Sequence, residues 1–157
     1  MEERQAASRG FTIVEFVLVL LTMAVLAAIA APRYSASLSR YRVESAAHRL
    51  ATDIAMCQKA ARAASASRTL VFGDSPGSYT ISGVNDPTNR SNPYTVFLGN
   101  PPYGVAVASV TFTDAVSDNT LAFSGYGVPD SGMSVVIRSG PFQRTVTLSA
   151  SGSVGVN

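Results

Sequence analysis

The chain has 157 residues, 46% of them hydrophobic and 14% charged, with 12 Lys or Arg against 10 Asp or Glu. So apolar a mixture excludes a disordered polar chain, and a net charge of +2 is too small to argue for nucleic acid. One cysteine, Cys57, excludes an internal disulfide framework and a cysteine-built zinc site, and one histidine, His48, leaves metal catalysis almost without ligands.

Residues 1–10, MEERQAASRG, are short and polar. The next 21, Phe11–Ala31, carry a single charge, Glu15, and meet no Gly or Pro before Pro32. As a helix this run spans about 31 Å, the hydrocarbon thickness of a bilayer, and it predicts a membrane helix. A buried core helix would not need such uniform apolarity. A cleavable secretory signal is a second alternative, because Ala28 and Ala30 offer a small-x-small pattern. Against it stand the length of the run, Glu15 within it and Pro32 just beyond.

Glu15 is the informative residue. A carboxylate inside a membrane helix costs about 2.5–3.5 kcal/mol on the lenient insertion scale, so protonation, a nearby cation or a place at the membrane edge must offset it.

After Pro32 the helical period resumes. Val43, Ala47, Leu50, Ile54, Cys57 and Ala61 recur at spacings of four and three, one face of an amphipathic helix, while Arg40, Arg49, Asp53, Lys59 and Arg62 fall largely elsewhere. Residues 11–64 are expected to form one helix of roughly 80 Å, kinked at Pro32. Its second half, residues 32–64, would cover a sheet. His48 and Cys57 sit nine residues apart, on opposite sides of that helix, and cannot form a catalytic pair. Residues 33–64 carry six basic and two acidic side chains, a basic stem suited to anionic lipid headgroups, to acidic faces of neighbouring subunits or simply to solvent.

From residue 65 onward lie 11 of the 12 glycines and 7 of the 8 prolines. Short apolar runs predict strands at Arg68–Phe72, Ser78–Ile81, Tyr94–Leu98, Val105–Phe112, Thr120–Phe123, Ser134–Ile137 and Thr145–Leu148. Turn chemistry separates them at Asp74-Ser75-Pro76-Gly77, Asn85-Asp86-Pro87, Asn100-Pro101-Pro102 and Ser139-Gly140-Pro141. The five aspartates of this half read as turn formers rather than a calcium site. The fold class is α+β, a long N-terminal helix packed on a C-terminal antiparallel sheet.

The segment Arg9-Gly10-Phe11-Thr12-Ile13-Val14-Glu15 resembles the processing site of type IV prepilins and type II secretion pseudopilins. The resemblance implies a pilin-like fold and cleavage by a prepilin peptidase between Gly10 and Phe11. It also implies N-methylation of Phe11 and a role for Glu15 in pairing with the new amine during filament assembly. It divides the chain into a leader (1–10), a membrane and assembly helix (11–31), a stem (32–64) and a periplasmic β-rich domain (65–157).

Leu121-Ala122-Phe123-Ser124-Gly125-Tyr126-Gly127-Val128-Pro129, Val146–Gly152 and the stem stretch Ala47–Leu70 resemble the GspH/FimT pseudopilin family. That implies a minor pseudopilin of a type II secretion system, a non-enzymatic inner-membrane protein without cofactor, whose partners are other pseudopilins or pilins, the peptidase and inner-membrane lipid. A minor type IV pilin that primes a pilus is the alternative. Some FimT-like members bind DNA through basic residues after the closing glycine. Here Ser153-Val154-Gly155-Val156-Asn157 follows Gly152 with no cation, so a nucleic-acid partner is not expected.

One rule points the other way. Arg4 and Arg9 precede the apolar run, whereas Arg33, Arg40, Arg42 and Arg49 follow it, and the positive-inside rule would place the C-terminal half in the cytoplasm. The resemblance implies a cytoplasmic leader and a periplasmic body.

Cleavage would create a cationic amine four residues ahead of Glu15, on the same helix face, and an intersubunit pair between them would select one axial register. Glu15→Ala or Glu15→Val should therefore leave processing largely intact and impair incorporation into a filament. Normal incorporation in a reconstituted assembly would refute this.

Overall fold

The computed structural model describes residues 10–73, 77–87, 89–113 and 119–157. The expected leader, apart from Gly10, lies outside them, as do Asp74, Ser75, Pro76, Asp114 and Asp118. The chain divides after Ser37 into two compact units.

Helix α1 runs from Ile13 to Ala64 and passes through Pro32 without a break. Up to Ser37 all its residues are exposed. Beyond Leu38 it buries Val43, Ala46, Ala47, Leu50, Ile54, Cys57 and Ala61, the face expected from the four-and-three spacing with Ala46 added. The helix ends in a Schellman motif: Ala66 N–H donates to the Ala61 carbonyl (3.2 Å) and Ser65 N–H to that of Arg62 (3.2 Å). Ser65 occupies the left-handed position with φ 48°, where glycine is usual.

Eight strands follow: β1 (Arg68–Phe72), β2 (Ser78–Asn85), β3 (Pro93–Phe97), β4 (Ala106–Phe112), β5 (Thr120–Phe123), β6 (Met133–Ser139), β7 (Phe142–Leu148) and β8 (Val154–Val156). They form two four-stranded antiparallel sheets, ordered β3-β2-β1-β5 and β4-β6-β7-β8. In the first sheet Leu70 stands opposite both Ile81 and Leu121; in the second Val135 faces Val146. Alternate residues of both sheets, among them Leu70, Ile81, Leu121, Phe123, Val135, Ile137, Val146 and Leu148, join the buried helix face in one core.

Seven strands lie where the alternation predicts them, and β1 and β5 match residue for residue. The sequence carries no signal for β8, which is three residues long and contains Gly155; pairing with β7 (Thr147 opposite Gly155) makes it a strand. The expected turn at Ser139-Gly140-Pro141 closes the β6–β7 hairpin, with Gly140 at φ 57°.

The loop after β5 packs directly on the helix end. A Cβ on Gly125 would lie 2.8 Å from the carbonyl carbon and oxygen of Ser65, backbone against backbone. Gly125→Ala should therefore destabilise the chain by about 1–3 kcal/mol. Ser65→Gly relieves the left-handed strain and should stabilise it by up to about 1 kcal/mol. Chemical denaturation of both variants measures the pair, and shifts of the same sign would contradict it.

Candidate processing and assembly segment

Gly10 and Phe11 precede α1, and both are exposed, Phe11 to 74%. The peptide bond between them thus lies in non-helical chain, accessible to a protease. The helix begins with a capping arrangement that the sequence analysis leaves unassigned, although Thr-x-x-Glu is its signature. Thr12 Oγ1 accepts a hydrogen bond from the Glu15 N–H (3.2 Å), and the Thr12 carbonyl accepts one from Phe16 N–H (3.1 Å). Glu15 sits in the first helical turn, where a carboxylate also complements the helix dipole. Glu15 therefore has a place in the helix start that needs no partner chain. Pro32 stands 17 residues further on and takes no part in this cluster.

Between Phe11 and Ile29, thirteen large apolar side chains are exposed, from Val19 at 41% to Ile13 at 80%. None of the apolar window of α1 is buried against the described residues, and the helix is long and apolar enough to cross a membrane. Removing such side chains from water is worth about 1.5–3 kcal/mol each, some 20–40 kcal/mol for thirteen. The roughly 3 kcal/mol cost of one carboxylate does not offset that.

The stem holds a second polar cluster, and here an expectation is corrected. Asp53, placed off the apolar face by its spacing, is buried at 3% exposure. Tyr79 Oη of β2 donates to its Oδ2 (2.6 Å), Tyr94 Oη of β3 lies 3.2 Å from each carboxylate oxygen, and Arg49 Nε, one turn back on α1, donates at 3.0 Å. Arg49 Nη2 also donates to Tyr94 Oη, and its guanidinium lies 5.9 Å from the Tyr94 ring centroid. Three donors, one of them a cation, satisfy the charge, so burial is tolerated. Burial raises the Tyr79 pKa above its usual value, and the hydrogen bond to Asp53 adds to this; burial and then Asp53 raise that of Tyr94. Burial opposes the charge on Arg49, but the attraction of Asp53 prevails and raises its pKa.

On the adjoining part of the stem, Arg144 of β7 donates from Nε to Glu44 Oε2 (2.6 Å), and His48 Nε2 lies 3.2 Å from Glu44 Oε1. The Arg144 hydrogen bond holds the Glu44 carboxyl below its usual value, against partial desolvation. His48 is exposed and Cys57 fully buried, so they do not meet. Burial pushes the Cys57 thiol up to about 11, the opposite of a nucleophile. Among the described residues no group of three or more His, Cys, Asp or Glu could hold a metal ion.

No protein-family model matches the sequence, and no curated protein does. Solved structures do. The chain is similar to the type IV minor pilin FimU of Pseudomonas aeruginosa strain PAO1, with a TM-score of 0.55 at 16% identity over 75% of this chain and 90% of that one. A second crystal form of FimU gives a TM-score of 0.51 at 15% identity, over 73% of this chain and 91% of that one. The minor pseudopilin EpsH of the type 2 secretion system of Vibrio cholerae gives 0.51 at 12% identity, over 74% and 96%. The chain has a pilin-like α+β fold.

Asp53→Ala should destabilise the chain by about 3–5 kcal/mol, because it strands two buried hydroxyls and a guanidinium. Tyr79→Phe should cost about 1.5–3 kcal/mol. Because the folded-state pKa values of Tyr79 and Tyr94 are raised, their contribution is complete below the unfolded tyrosine value of about 10 and is lost as pH rises past it. Denaturant unfolding across that range should show an alkaline decline that is smaller in Tyr79→Phe; an equal decline would contradict the assignment.

Proposed function

We propose that this chain is a minor pseudopilin of a type II secretion system. It is made as an inner-membrane precursor, cut by a prepilin peptidase between Gly10 and Phe11, and N-methylated at Phe11. It then assembles with other pseudopilins near the tip of a periplasmic filament. The observation that carries this reading is a wholly exposed apolar helix segment in a chain whose fold is that of a minor pilin and a minor pseudopilin.

Several details support it. The bond to be cut precedes the helix cap and is exposed. Glu15 lies four residues beyond the new terminus, where its carboxylate can pair with an amine in a medium that penalises an unpaired charge. A helix segment without cover among the described residues gains most by packing beside like helices or lipid. The proposed role is structural rather than enzymatic.

A second reading, a minor type IV pilin that primes pilus assembly, is favoured by the likeness to FimU. The two differ in phenotype. Deletion of the gene should abolish exoprotein secretion under the first reading and surface piliation under the second. Both require that the mature protein begin with N-methylated Phe11, read by intact mass, and that protease added to spheroplasts digest the body. A mature chain starting near Ala30 or beyond Pro32, or a body protected in spheroplasts, would overturn both.

A further inference from the structure

We propose that a small cavity between the stem and the β6–β7 hairpin holds the phosphate of an anionic lipid headgroup. This rests on the membrane reading above and names a specific site within it. The cavity measures about 210 Å3 and is lined by Arg40, Val43, Phe142, Gln143 and Arg144. Val43 is buried and Phe142 half-buried, so the residues that flank Arg40 and Arg144 there give the cavity an apolar floor.

The donors are free to act. Arg40 is exposed and makes no ion pair or hydrogen bond among the described residues. Arg144 spends Nε on Glu44, and its Nη groups make no further hydrogen bond among the described residues. An arginine fork of this kind matches a phosphate by geometry as well as charge.

The local balance is cationic. Residues 38–47 and 134–148 contain Arg40, Arg42, Arg138 and Arg144 against the single acid Glu44. Glu44 is itself shared between Arg144 and His48, so the excess charge is not cancelled.

The stem wall of the cavity begins nine residues after Ala31, the end of the apolar run, within the same helix. With that run in a bilayer, headgroup phosphates are the abundant anions nearest in the chain's surroundings.

The test uses the full-length chain reconstituted in nanodiscs of phosphatidylglycerol or phosphatidylcholine, with retained lipid counted by native mass spectrometry. Wild type should retain phosphatidylglycerol in preference to phosphatidylcholine. Arg40→Gln, which removes an exposed and unpartnered cation, should cut that retention about fivefold. Glu44→Gln should raise it, whereas a merely structural role for the Glu44–Arg144 pair would lower it. Lys59→Gln, outside the cavity, should leave it unchanged. Equal retention by Arg40→Gln and wild type, or no preference between the lipids, would overturn the site. If inorganic phosphate displaces the lipid at millimolar concentration, the headgroup assignment fails as well. Extraction of the chain from membranes by alkaline carbonate would instead overturn the membrane reading, and this site with it.

Discussion

Thirteen large apolar side chains between Phe11 and Ile29 are exposed, and no part of the described chain covers them, so whatever removes them from water lies outside the described residues. Every other feature of the N-terminal segment is subordinate to that demand. Burial on this scale outweighs the cost of one carboxylate by roughly tenfold. Glu15 is therefore tolerated in such surroundings, and under the proposed assembly the choice among its partners becomes a question of specificity. In water-free surroundings a single unpaired charge separates right from wrong register by several kcal/mol, although it adds little to the total. The capping bond from Glu15 N–H to Thr12 Oγ1 uses the backbone of the same residue, which leaves the carboxylate available.

The stem solves a different problem. A helix rich in alanine can pack closely on a sheet, but small side chains supply little depth of burial. Ala46, Ala47 and Ala61 bring the backbone near, and Leu50 and Ile54 fill the space. Asp53 adds direction, since its carboxylate accepts from two tyrosines on neighbouring strands and from an arginine one turn back. Such a cluster tolerates one arrangement, because sliding the helix along the sheet would leave four polar groups without partners. The Glu44–Arg144 pair ties the same helix to the other sheet, so the stem is referenced to both.

The loop after β5 shows how a short motif acquires meaning. Phe123 enters the core, Gly125 lets the chain touch the Ser65 backbone at the helix end, and Pro129 bridges back to Phe123. Gln58 donates to the Gly127 carbonyl (2.8 Å) and Arg62 Nε to that of Tyr126 (3.1 Å), which fastens the loop to the last turns of α1. The residue types are legible in the sequence; the helix end that makes a glycine necessary at 125 is not.

Local chemistry by itself determined the elements. An unbroken apolar run marks a helix long enough to cross a membrane, the four-and-three spacing from Val43 to Ala61 marks one helix face, and alternating apolar runs between Gly and Pro mark strands β1 to β7. The resemblance of Arg9–Glu15 to a prepilin processing site is likewise local, because it lies within seven consecutive residues. Partition into two sheets, the strand β8, the burial of Asp53 and the cavity between Arg40 and Arg144 were decided by tertiary structure alone. Strand β8 depends on its pairing with β7, and the others on residues far apart in the chain, Asp53 with Tyr94 or Glu44 with Arg144, since a polar side chain's fate is set by partners that no local period encodes.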